Sequence, residues 1–217
     1  MKPEPPCRLV LVLLGVVCAA ILGRAAELTS VPLPKPRMQG GKPLMQALKE
    51  RRSIREFSPA TLPPQMLSDL LWAAFGINRP EIDHRTAPST MNSQELDLYV
   101  ATSDGLHLYE ARTHALKPVL SKDLRAQTTG QAALKEAPVA LVLVADLPRL
   151  SKAKPEDRDF YAAIDAGFIS QNIYLFCASE GLATVVHDLD RPSLAQAMKL
   201  KPGQKIVIAQ AVGYPKN

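Results

Sequence analysis

The chain has 217 residues, of which 47% are hydrophobic and 22% charged, and its formal net charge is +5. That is enough apolar material for one sizeable core, and the ordinary charged fraction argues against global disorder. The mild positive balance gives no footing for nucleic-acid binding.

Lys2 and Arg8 precede an apolar run from Leu9 to Leu22, and the small residues Gly23, Ala25 and Ala26 follow. This three-part layout predicts a secretory signal peptide over residues 1–25, cut after Ala25, and export to the bacterial periplasm. The run is shorter than the ~20 residues that span a bilayer; an uncleaved anchor is the alternative. Without Lys2, Arg8, Arg24 and Glu4 the net charge falls from +5 to +3. Cys7 and Cys18 leave with the signal, so Cys177 remains alone. One cysteine makes no internal disulfide, and no Cys/His cluster has metal-ligand spacing.

Residues 26–43 carry Pro32, Pro34, Pro36, Pro43 and Gly40-Gly41, which predict a tether without regular structure ahead of one domain at 44–217. Helices are expected over Leu44–Arg51 and, opened by a first-turn proline, over Pro64–Ala74, where Met66, Leu67, Leu70, Leu71 and Ala74 share a face. Residues 76–93 read as loop. Alternation marks a strand over Leu96–Val100, with a turn at Ser103-Asp104-Gly105 and a return strand over Leu106–Tyr109. Val139–Ala145 is a continuous apolar run, as in a buried strand. Asp159–Ser179 is a long helix apolar on nearly every face, which suits a core or a subunit interface, and Gly181 ends it. Thr184–Val186, Ser193–Met198 and Ile206–Val212 complete the pattern as strand, helix and strand. Helices and strands mix without a strict βαβ rhythm, so the fold class is α+β.

There is no GxGxxG after a strand, no phosphate-binding GxxxxGK and no GxSxG turn. His107 and His114 fall in or near the hairpin and read as surface residues. Arg51-Arg52-Ser53-Ile54-Arg55 places three guanidiniums and a hydroxyl within five residues. Such a cluster can grip a phosphate bidentately, although a basic helix end complementing its dipole would look the same.

Four segments together go further. Arg51–Phe57 resembles the RRSxRxF element of the nitroreductase family, and Pro88-Ser89-Thr90-Met91-Asn92-Ser93-Gln94 resembles its Pro-Ser-x-x-Asn-x-Gln loop. Asp165-Ala166-Gly167, Gln171-Asn172 and Gly181–Val185 resemble its long helix and GLGTV ending, and Gly213-Tyr214-Pro215 its closing GYP. They occur in family order over roughly residues 42–215. Leu71–Ala87 and Leu106–Leu116 look closest to the branch that includes thiazoline- and oxazoline-forming dehydrogenases, although no lysine–tyrosine pair of those enzymes is found.

The resemblance implies a homodimer with a mixed, mainly antiparallel sheet flanked by helices and FMN at the dimer interface. Arg51, Arg52, Ser53 and Arg55 would hold the FMN phosphate, ribityl chain and pyrimidine edge. Pro88, Ser89, Thr90 and Asn92 would reach the flavin from the partner subunit. The loop Val186-His187-Asp188-Leu189 would offer backbone N–H groups to flavin N5 and O4. His187 and Asp188 depart from the small residues usual there, and His187 is the one candidate catalytic side chain, a proton donor to a reduced acceptor; the alternative is a solvated loop histidine. Few basic residues follow the GYP, so phosphate neutralisation rests on the arginines.

The implied activity passes electrons from NAD(P)H to a small organic acceptor such as a nitroaromatic or quinone. Because NAD(P)H is scarce outside the cytoplasm, a periplasmic or membrane redox partner is the other expected donor. A non-catalytic flavin-binding carrier or sensor on the same fold is the alternative function.

Overall fold

The computed structural model describes residues 1 and 29–216; the expected signal peptide lies outside the described residues. Among those residues no helix is long and apolar enough to cross a membrane.

Seven strands form one antiparallel sheet: β1 (Val31–Pro32), β4 (Leu96–Thr102), β5 (Gly105–Glu110), β6 (Ala115–Leu120), β7 (Val139–Asp146), β8 (Ala183–His187) and β9 (Gln204–Gly213). Their spatial order is β1-β6-β5-β4-β7-β9-β8. A small separate ribbon pairs β2 (Ile77–Arg79) with β3 (His84–Arg85) inside the segment expected to be loop. The helices are α1 (Leu44–Glu50), α2 (Pro64–Phe75), α3 (Arg158–Glu180) and α4 (Arg191–Met198).

Strand alternation divides the apolar side chains between two faces. Leu141 and Leu143 of β7 point to the layer of α2 and α3, where they meet Leu70, Leu71, Ile169 and Ile173. Val142 and Val144 point to the opposite face, against Leu194 and Met198 of α4. A third cluster gathers Phe57, Leu134, Ala137, Val185 and Ala211 beside the β8 edge.

Local chemistry sets the boundaries. Gly181 closes α3 at φ 73°, where a side chain would be strained. α4 starts at Arg191, two residues ahead of expectation, because the Asp190 side chain caps it by accepting from the Ser193 N–H at 3.2 Å.

Two expectations need correction. The tether is not free of regular structure, since Val31 and Pro32 pair with Leu116 and Ala115 of β6. Proline survives there because an edge strand tolerates a missing donor. His114 is half-buried and engaged on both ring nitrogens: its Nδ1 lies 2.9 Å from Tyr109 Oη, and its Nε2 lies 2.7 Å from Ser68 Oγ and 3.1 Å from the Pro34 carbonyl. Burial lowers its pKa, with the Pro34 carbonyl opposing, and the ring clasps the tether to α2 and β5.

Candidate functional site

The segment after α1 runs along the free edge of β8. The Ile54 N–H donates to the Thr184 carbonyl at 3.0 Å, and Ser58 N–H donates to the Tyr214 carbonyl at 2.9 Å. Phe57, fully packed, is the plug that anchors this strap. Gly213 of the GYP makes room for it: a Cβ there would stand 2.5 Å from Pro138 and 3.2 Å from Phe57.

Tyr174 of α3 fixes the strap from below. Its hydroxyl shares a 2.9 Å hydrogen bond with Ser53 Oγ and accepts the edge N–H of Val186 at 3.0 Å. The Arg51 guanidinium lies 5.3 Å from the centre of its ring, within cation–π range. Nothing in the sequence singles out Tyr174 from the other apolar positions of α3. Its function shows only once the strap is laid beside it.

Arg51, Arg52 and Arg55 have no carboxylate partner among the described residues; the ion pairs join other residues. A cleft of about 460 Å³ is lined by Lys49, Arg51, Arg52, Tyr174 and Thr184 among others, and by the Lys42–Glu50 ion pair; Arg55 is not among its lining residues. A larger cleft of about 610 Å³ lies between the tether, α2 and α3. Its cations are already neutralised, Arg37 by Asp69 at 2.7 Å and Lys42 by Glu50 at 2.6 Å. The smaller cleft thus carries the positive charge without a carboxylate partner, at Lys49, Arg51 and Arg52, which suits an anionic group.

The same edge continues past the strap. Thr184 and Val186 present their edge groups outward from β8, and the same alternation carried one step past its end at His187 would turn the Asp188 N–H outward. The Asp188 carboxylate is exposed and paired with Arg191 at 2.7 Å, and this hydrogen bond chiefly lowers its pKa. His187 points to the other face of β8, away from Tyr174, and is 6% exposed. Its Nδ1 lies 3.3 Å from the Asp188 carbonyl, and its Nε2 has no partner among the described residues. Burial lowers its pKa against the opposing influence of Asp188.

The Pro88–Gln94 loop occupies another part of the subunit. Thr90 donates to Asp165 through both N–H, at 2.6 Å, and Oγ1, at 3.1 Å. Ser89 Oγ accepts the Gln94 N–H at 3.0 Å, and Asn92 Nδ2 lies 3.2 Å from His84 Nε2. Met91, Asn92 and Gln94 all have positive φ, near 50°. Within one chain the loop is thus held at position 165 of α3 and the strap at position 174, roughly 13 Å apart along the helix axis. The structure brings Arg51, Arg52, Ser53 and Arg55 to the edge that carries His187 and Asp188, and keeps Pro88, Ser89, Thr90 and Asn92 apart from them.

Residues 48–214 match the Nitroreductase family. A nitroreductase-like protein of Methanocaldococcus jannaschii is 32% identical over 154 residues, which are 65% of this chain and 76% of that protein. The crystal structure of a nitroreductase-like protein of Ralstonia eutropha is 39% identical, covers 87% of this chain and 90% of that one, and has a TM-score of 0.83. A nitroreductase-like protein of Desulfovibrio desulfuricans, solved in complex with FMN, is 23% identical over 81% of this chain and 88% of its own, with a TM-score of 0.59. At that identity it speaks for the fold alone.

Proposed function

The chain belongs to the nitroreductase family and is a flavin oxidoreductase of nitroreductase type; from that premise we propose that it holds FMN at the strap and passes electrons from a reduced donor to a small organic acceptor such as a nitroaromatic or quinone. The observation that carries the choice of cofactor is the group of three arginines without carboxylate partners on the strap, beside the β8 edge beyond Val186. A terminal phosphate fits the first feature, and the polar rim of a flavin ring fits the second. The Desulfovibrio protein of the same fold, solved with FMN, is in keeping with this.

Arg51, Arg52 and Arg55 would neutralise the phosphate, Ser53 would serve the ribityl chain, and the Asp188 N–H would face the ring edge. FMN, when bound, would supply the redox chemistry. The protein contributes binding, positive charge and exclusion of water.

The functional unit in this reading is a homodimer. Phe160, Ile164 and Phe168 lie at successive i, i+4 steps on α3 and are 64%, 38% and 44% exposed. A second copy packed on that face would bring its Pro88–Asn92 loop toward the strap, which one chain alone does not do. The signal-like N-terminus supports export to the periplasm, where a periplasmic or membrane redox partner would replace NAD(P)H as donor.

The test is to purify the mature protein, record its visible spectrum and identify the cofactor released by heat. FMN that NAD(P)H or dithionite reduces and a quinone reoxidises is the expected result. Stoichiometric FAD, or a colourless protein without measurable FMN affinity, would rule the proposal out. FMN that no physiological donor reduces would favour a carrier.

A further inference from the structure

Among the described residues Glu95 is the most unusual group. It sits between the Pro88–Gln94 loop and β4 with no solvent exposure, and neither carboxyl oxygen meets a donor among the described residues. A buried, unpaired carboxylate is expensive enough that such groups give up their charge. The neighbour within hydrogen-bonding reach is another acid, Asp165, which is 1% exposed. Both oxygens of Asp165 already accept from Thr90, and each retains a free lone pair. Two carboxyl groups packed this way are compatible only if a proton lies between them.

We propose that Glu95 is a positioning residue for the flavin loop: it keeps its proton, donates it to Asp165, and so holds Thr90 and the left-handed backbone that follows it in place. The assignment of this loop to the flavin rests on the reading above; the acid pair itself does not.

The charges around Glu95 leave it no other partner. Arg149, in the turn after β7, is committed to Asp97 of β4 at 2.8 Å and to Asp146 at the end of β7 at 3.2 Å, and it also donates to the Gln94 carbonyl at 3.3 Å. Arg85 of β3 is taken by Gln94 Oε1 at 2.8 Å. Asp165 is the group facing it from α3. Burial is the main cause, and Asp165 a further one, by which the Glu95 pKa rises to about 7. The loop needs such a brace because Met91, Asn92 and Gln94 each sit in a backbone region that costs side-chain-bearing residues free energy.

The sign of the pH effect follows. Between the ordinary value of 4.5 and about 7 the folded protein holds a proton that the unfolded chain releases. The stabilisation is complete below that window and is lost as pH rises through it.

The experiment uses the flavin-free and the flavin-loaded protein. In wild type, infrared spectroscopy should show a protonated-carboxyl band that fades as pH passes about 7, and that Glu95→Gln removes. Hydrogen exchange of the Thr90 amide, corrected for base catalysis, should lose roughly tenfold in protection across the same range in wild type. It should stay constant in Glu95→Gln, whose amide donates to Asp165 at any pH. Flavin affinity should follow the same two profiles. An ionised Glu95 below pH ~6 in the wild-type spectrum, or identical Thr90 profiles in wild type and Glu95→Gln, would overturn the proposal. The infrared and exchange results need no ligand, so a protein that showed them without binding flavin would refute the flavin reading and leave the acid pair standing.

Discussion

The hydroxyl of Tyr174 stands 2.9 Å from Ser53 Oγ while accepting the Val186 N–H at 3.0 Å, so one side chain ties the arginine strap to the sheet edge it serves. Tyr174→Phe keeps the ring under Arg51 and deletes only the tie. The expected cost is about 1–3 kcal/mol of stability, because an edge N–H and a hydroxyl lose their partner. Faster exchange of the Val186 amide reports the local effect. An unchanged denaturation midpoint and unchanged protection would show that water substitutes for the phenol.

Arg51→Ala and Arg55→Ala should each weaken FMN more than riboflavin. Each lost charge-assisted contact is worth about 1.5–3 kcal/mol, or roughly ten- to a hundredfold in affinity. Titration of the apoprotein with both ligands separates the possibilities, since equal losses would make the arginines structural supports of the strap.

A glutamate at Phe168 should abolish dimerisation and, with it, flavin retention. The residue is 44% exposed on the apolar stripe of α3, and a carboxylate there would have to be desolvated on association. Sedimentation of the variant is the direct measurement. A monomeric wild type that carries FMN would exclude the shared site.

His187→Gln should leave the pH dependence of flavin reoxidation flat between about 6 and 7, as in wild type, because the imidazole is buried and turned from the strap. Stability is where the ring should show itself. Its pKa is lowered in the fold, so the unfolded state binds the proton more readily, and the wild-type contribution is lost as pH falls below the ordinary 6.5. The stability gap between wild type and His187→Gln should therefore shift in favour of the variant on acidification. An ionisation of the reoxidation rate that vanishes in the variant would instead give His187 a proton-transfer role.

The sequence announces those parts of the molecule whose periodicity is long or whose chemistry is dense. The α3 pattern, the buried strand β7 and the Arg51–Arg55 cluster all repeat a signal over several residues. β1, β2 and β3 escaped because two- or three-residue strands have no period to read. β6 escaped because Pro118 interrupts its pattern. The roles of Tyr174, Glu95 and His114 depend chiefly on partners distant in sequence: Ser53 lies 121 residues from Tyr174, and Pro34 lies 80 from His114. Contacts at such separations leave no trace in local spacing, and a tyrosine on an apolar helix looks like any other core residue until the edge strand beside it is known.

Both margins of the main sheet carry covers. On one side the two-residue strand with Pro32 lies against β6, which carries its own proline at position 118. On the other, the strap and the Tyr174 hydroxyl take up edge groups of Thr184 and Val186. A sheet so bordered offers poor templates for strand addition, the usual route by which exposed edges recruit further chains. In the homodimer proposed above, self-association would use the helical surface instead, where it can close after two subunits. Under the export proposed above, that geometry would guard against polymerisation at the stage when chains are most crowded and least complete.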